Sequence, residues 1–148
     1  MTSTGISLTL PFERKIKSSS DFLEHIKARG KGTKRVSNEY FESKLVLSDR
    51  GTGLRFGFTV GKKKARRSVD RVLIKRVLRE SARNKIPGFL ALLGQGKLGI
   101  DVSLRLVGDY GSFSKDKTLK QVKAEMRTAS DQILSALIDH LNKMNFKG

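Results

Sequence analysis

Leu119, Val122, Met126, Ala129, Ile133, Leu137 and Leu141 recur at intervals of three and four residues. That spacing matches the turn of an α-helix and predicts a long amphipathic helix whose apolar stripe must be buried. Two other runs keep a period of two. Leu54, Phe56, Phe58 and Val60 alternate with Arg55, Gly57, Thr59 and Gly61, while Ile100, Val102, Leu104 and Leu106 alternate with Asp101, Ser103 and Arg105. Both read as half-buried strands. A helix with one apolar stripe and strands with one apolar face satisfy each other by packing together. The expected class is α+β, a small sheet with helices packed on it.

The remaining elements fit that plan. Ser18-Ser19-Ser20-Asp21, with Glu24 three residues after Asp21, reads as a helix start. Phe22, Leu23 and Ile26 form its stripe, and Gly30 and Gly32 end it. Tyr40 to Leu47 reads as a strand, the segment 50–53 as a turn, and Ser68 to about Lys85 as a helix. The two prolines, Pro11 and Pro87, fall outside these elements. A chain of 148 residues suits one domain, 1–148, with 1–11 as an N-terminal extension. Hydrophobic residues make up 37%, enough for a core without staples. The absence of cysteine excludes thiol catalysis, cysteine-ligated zinc and a disulfide framework. No apolar run approaches the ~20 residues that span a bilayer, and Met1–Phe12 lacks signal-peptide character. A cytoplasmic protein with no membrane partner is expected.

Charge narrows the function. The formal net charge is +17, and Lys62 to Lys85 alone hold eleven basic side chains against two acidic ones, Asp70 and Glu80. More than half of the excess therefore lies in one-sixth of the chain. A polyanion is the leading partner. On the helix beginning near Ser68, Val69, Leu73, Ile74 and Val77 fall on one side. Arg67, Arg71, Lys75, Arg79 and Arg83 climb the other, each four residues apart and so neighbours on the helix surface. Like charges at that spacing repel in the free protein, whereas a phosphate backbone would neutralise them. Lys62, Lys63, Lys64 and Arg66 extend the row into the preceding turn.

Catalytic constellations are lacking. His25 and His140 belong to different helices and read as surface or packing residues. Asp101 and Asp109 are too far apart along one straight strand to share a metal. Gly94-x-Gly96-x-x-Gly99 spells a dinucleotide fingerprint, but a strand follows it where the motif needs a helix. It reads as a loop. Phe22, Tyr40, Phe41, Phe56 and Phe58 are side chains on which unstacked bases lie, and equally ordinary core residues. Phe56 and Phe58 share a face with Leu54 and Val60, which marks them as core. Gly57, on the opposite face with Arg55 and Thr59, leaves room for a close ligand approach.

Arg55-Phe56-Gly57-Phe58-Thr59-Val60-Gly61-Lys62-Lys63, Arg66-Arg67-Ser68, Arg71 and Ile74-Lys75-Arg76-Val77-Leu78-Arg79-Glu80 resemble the bacterial ribonuclease P protein subunit. The Asp21-Phe22 helix ending at Gly30 is similar to that family's first helix, and element order agrees from about 12 to 140. The resemblance implies a four-stranded sheet with three helices, like domain 2 of ribosomal protein S5. It also implies a left-handed βαβ crossover, against the strong right-handed rule. It implies an RNA-binding subunit of a ribonucleoprotein endonuclease. There a catalytic RNA, with Mg²⁺ held mainly by that RNA, removes the 5′ leader from precursor tRNA. No catalytic residue, intrinsic cofactor or protein partner is expected of the chain. Lys62, Lys63, Arg66, Arg67, Arg71, Lys75, Arg76 and Arg79 are the expected RNA contacts, and Phe22, Tyr40 and Arg55 the expected leader contacts. The alternative is a general basic RNA-binding or ribosomal assembly protein of similar fold.

One departure stands out. Where the family signature reads Arg-Asn-Arg, this chain has Arg71-Val72-Leu73. Either this part of the helix is more buried here, or its RNA contact is rewired. The stretch from Pro87 to Gly99 is also longer than the family's.

Overall fold

The computed structural model describes residues 33–48, 53–93 and 99–143. In chain order these form β1 (Thr33–Ser37), β2 (Phe41–Ser48), β3 (Gly53–Thr59), α1 (Ser68–Leu93), β4 (Gly99–Leu106), α2 (Tyr110–Phe113) and α3 (Leu119–Lys143). The helix expected from Ser18 to Gly30, and Phe22 with it, lies outside the described residues, as do the tight turn before Gly53 and His25.

The four strands make one mixed sheet in the order β1-β2-β4-β3. β1 with β2 and β2 with β4 run antiparallel, whereas β3 and β4 are parallel. Parallel neighbours need a crossover, and α1 supplies it. β1 escaped the sequence reading for a physical reason. Its residues, Thr-Lys-Arg-Val-Ser, hold one apolar side chain and so show no alternation. Charge on an edge strand blocks pairing with other chains.

The register sorts the sheet into two faces. Leu54 pairs with Ile100, Phe56 with Val102 and Phe58 with Leu104, and Phe41 and Leu45 continue that face on β2. α1 and α3 pack against one another, α1 also against β3 and α3 against β1 and β2. Between them lies a core of Phe41, Leu45, Leu54, Phe56, Ile100, Val102 and Leu104 with the helix side chains. The α3 stripe is buried at Val122, Met126, Ala129, Ile133, Leu137 and Leu141. Its first expected member, Leu119, is exposed.

The other face is polar. Arg55 pairs across with Asp101, Gly57 with Ser103 and Thr59 with Arg105. Arg55 and Asp101 form a two-pronged ion pair at 2.9 and 2.7 Å. Both are buried, 9% and 8% exposed.

Two features of α1 correct the sequence reading. Its inward stripe is Asp70, Ile74, Val77, Leu78, Ser81 and Ala82, rather than one that starts at Val69. Asp70 takes the first inward position because Arg67 holds its carboxylate in a fork at 2.9 and 3.0 Å. Val69 is thereby turned to solvent, 62% exposed. The helix also continues through Pro87 to Leu93 instead of stopping near Lys85. An internal proline forfeits one hydrogen bond and costs about 3 kcal/mol. Beyond it, however, Phe89 is fully buried and meets Phe56 edge-on, with ring centroids 5.9 Å apart. Burying a phenylalanine returns about 1.5–3 kcal/mol. Gly88 lets the helix lie close to α3, since a Cβ there would come within 2.9 Å of Ile138 Cδ1.

Candidate nucleic-acid interface

The basic surface is built from the end of β3 through a short loop into α1. Val60 and Ala65 are buried and pin the loop at both ends. The amides of Lys64 and Ala65 both donate to the Gly61 carbonyl, at 3.2 and 3.1 Å, closing a turn. That turn leaves Lys62, Lys63, Lys64 and Arg66 exposed. The Arg67 carbonyl then accepts from the Asp70 and Arg71 amides and starts the helix.

The expected row of five cations does not act as one row. Arg67 forks onto Asp70, which raises its pKa chiefly through that hydrogen bond and the neighbouring carboxylate charge. Arg71 folds back, its Nη1 donating to the carbonyls of Ala65 (3.0 Å) and Arg66 (2.8 Å). It clamps the loop against the helix. Arg79 lies along the helix with Nε 3.5 Å from the Lys75 carbonyl, and Arg83 is half-buried. Lys75 and Arg76 are exposed. Glu80 is 3.7 Å from Arg127 of α3, so it is directed to the helix packing and not to the basic surface. Lys62, Lys63, Lys64, Arg66, Lys75 and Arg76 have no carboxylate partner among the described residues. Six exposed cations on one loop and the adjoining turns of one helix, of which only Lys64 and Arg66 lie near a carboxylate, that of Asp109, are an electrostatic footprint for a polyanion.

Of the expected leader contacts, Arg55 and Tyr40 are among the described residues and Phe22 is not. Arg55 is committed to Asp101 in the sheet and does not present a free guanidinium. Tyr40 is half-buried, donates its hydroxyl to Glu125 Oε1 at 2.9 Å, and stands edge-on to Phe113 with centroids 4.8 Å apart. It lines an open cavity of about 360 Å³ with Asn38, Glu39, Glu125, Thr128 and Gln132. Burial, then the bond to Glu125, pushes the Tyr40 phenol above its ordinary pKa. Lys117, 2.6 Å away, and then Tyr40 hold Glu125 below the usual carboxylate range. Glu39 and Glu125 both line this cavity, and Lys117 pairs with Glu125.

Sequence reasoning missed the part played by Tyr110. Its amide donates to the Lys64 carbonyl at 2.8 Å, so the α2 turn is tied to the basic loop. Asp109 caps α2 through the Ser112 hydroxyl and amide, both at 2.9 Å. These two bonds, with Arg66 and Lys64 nearby, hold its carboxyl below the usual range. An Asp followed by Ser three residues on was the legible sign of this turn. His140 is half-buried on α3. Burial first, then Lys34 and Lys143, lowers its pKa. Among the described residues, no group of three or more His, Asp or Glu is placed to hold a metal. No helix among them is long and apolar enough to cross a membrane.

The fold has solved counterparts. A Staphylococcus aureus RNase P protein superposes with a TM-score of 0.61 at 21% identity, over 84% of this chain and 94% of that one. A second S. aureus RNase P protein structure gives 0.59 at 21%, over 87% and 92%. The RNase P protein from Thermotoga maritima gives 0.51 at 20%, over 80% and 96%. No curated protein matches the chain by sequence. The family model described as Ribonuclease P, however, matches residues 10–133. That span includes β1 to β4 and the whole basic loop and helix, and by it the chain belongs to the ribonuclease P protein family.

Proposed function

We propose that this chain is the RNA-binding subunit of a bacterial ribonuclease P, which assists a catalytic RNA in removing the 5′ leader from precursor tRNA. The observation that carries this reading is the family match over a loop and helix whose cations stand at the surface outside any ion pair, Arg67 excepted. Binding runs through phosphate neutralisation by Lys62, Lys63, Arg66, Lys75 and Arg76, with Arg71 and Arg67 holding the loop and helix in register. Such contacts position RNA without reading its sequence. The protein raises the affinity and orientation of the RNA partners. The hydrolytic step, with its Mg²⁺, belongs to the catalytic RNA. The work is done in the cytoplasm, with no further protein needed.

A general RNA-binding role remains the competing reading, and Val72, exposed where the family signature has Asn, favours it. Crosslinking the protein in cells and sequencing the attached RNA separates the two. Enrichment of the ribonuclease P RNA and precursor tRNA is expected. Enrichment of ribosomal RNA alone would overturn the proposal.

A further inference from the structure

Four large apolar side chains stay exposed among the described residues: Val69, Val72, Leu90 and Leu119. Three of them are brought to one level by the packing of the two long helices. α1 and α3 run side by side in the same direction, as their cross-contacts show. Glu80 meets Arg127, Ser81 bonds Asp131, Lys85 bonds Ser135 at 3.0 Å, and Gly88 faces Ile138. Both hydrogen bonds join residues 50 positions apart. The same offset sets Leu119 level with Val69 and Lys123 level with Leu73. Val72 is the neighbour of Val69 on the surface of α1. Packed helices lie about 8–10 Å apart from axis to axis, so one ligand can touch both. Val69, Val72 and Leu119 are each more than half exposed, although Leu119 heads the stripe that α3 otherwise buries.

Cations border this apolar patch. Lys75 and Arg76 on α1 and Lys120 and Lys123 on α3 are exposed, and none is in an ion pair among the described residues. Glu80 and Asp131, further along the two helices, both face Arg127. A single exposed carboxylate, Asp116, lies in the turn before α3.

We propose that the patch seats an unstacked nucleotide of a single-stranded RNA segment, its base on Val69, Val72 and Leu119 and its flanking phosphates on Arg76, Lys120 and Lys123. A second copy of the chain does not fit, because the same cations would meet across the contact. A stable protein interface takes on the order of 800 Å² from each partner, and three aliphatic side chains ringed by lysine and arginine cover only a fraction of that. They match one base. Paired RNA keeps its bases inside the duplex, so only an unpaired segment can offer one. The RNA surface thereby extends from α1 onto the lysines of α3. This seat deepens the RNA-binding reading and rests on it.

A short single-stranded RNA and a duplex of the same sequence are the probes, bound to the full chain and followed by fluorescence anisotropy over a range of salt. Leu119→Gln and Val72→Ser, both at exposed positions, should each weaken single-strand binding about threefold to tenfold, a part of what full burial of such a side chain is worth. Their salt slope should match the parent's, because no charge is removed, and duplex binding should barely change. Lys120→Gln combined with Lys123→Gln should instead flatten the single-strand slope by about 1.4, roughly 0.7 for each lost phosphate contact. Urea midpoints equal to the parent's establish that the variants fold. Parental single-strand affinity in both apolar variants would overturn the seat in favour of an acidic protein as the occupant. An equal loss on the duplex would also overturn it, since a duplex offers no unstacked base. Stimulation of precursor cleavage by ribonuclease P RNA tests the subunit reading separately. A parent that fails there refutes that reading, while the anisotropy still decides the seat.

Discussion

Replacing Lys62, Lys75 and Arg76 together by glutamine separates cations that bind from cations that build. All three are exposed, and none has a carboxylate partner among the described residues. Their loss therefore breaks no ion pair. Relief of like-charge repulsion keeps the stability change within about 0.5 kcal/mol, as for surface substitutions generally. RNA affinity behaves differently. Each neutralised phosphate contributes roughly 0.7–0.9 to the slope of log K against log salt. Three lost contacts should flatten that slope by about 2.1–2.7. Filter binding to ribonuclease P RNA over about a tenfold range of monovalent salt resolves such a change. An unchanged slope, with the triple variant still folded, would refute the placement of RNA on this surface. A flattened slope accompanied by a lower denaturation midpoint would instead mean that these residues hold the fold together.

The complementary substitution, Arg71→Gln, should do the reverse. With its bonds to the Ala65 and Arg66 carbonyls lost, stability should fall by about 1 kcal/mol, read as a lower urea midpoint at constant slope. Asp101→Asn removes the carboxylate charge from the buried pair with Arg55 and should cost up to about 3–5 kcal/mol, whereas replacing both residues by apolar side chains of similar volume should cost far less. Equal losses in the two would count against a desolvated pair. Burial raises both phenols, Tyr40 and Tyr110, so alkaline difference spectroscopy should find neither ionised at the ordinary value near 10.0. Above that pH the unfolded chain gives up protons that the fold retains, and stability should decline with rising pH. A phenol ionising at or below 10.0 would contradict the burial.

Periodicity exposed the parts of this fold that one solvent boundary governs. The α3 stripe and the inner faces of β3 and β4 were legible because a single side of each meets the core. β1 was not, since an edge strand with one apolar residue has no boundary to mark it. The passage of α1 through Pro87 was hidden for another reason. The local rule at proline is outweighed by Phe89 reaching Phe56, a partner more than thirty positions earlier in sequence. Site residues followed the same logic. Clustered charge located the surface, but which cations are free depends on carbonyls and carboxylates that only the folded loop brings near. Arg55 illustrates the limit, since its partner Asp101 lies 46 residues away.

The departure at Arg71-Val72-Leu73 can now be narrowed. Of the two explanations, greater burial fails for Val72, which is 51% exposed on a helix whose inward positions are held by Asp70, Ile74 and Val77. Arg71 is engaged with the loop carbonyls, and Val69, three positions before Val72 and so its neighbour on the helix surface, is exposed as well. The start of α1 thus shows solvent an apolar pair, bordered by Arg66 behind and Lys75 and Arg76 ahead. Apolar side chains cannot replace the hydrogen bonds of an Asn or an Arg. Any RNA contact made at Val72 must therefore differ in chemistry from the family's. The change lies in what the surface offers, while the packing beneath, from Ile74 to Phe89, is a continuous buried face.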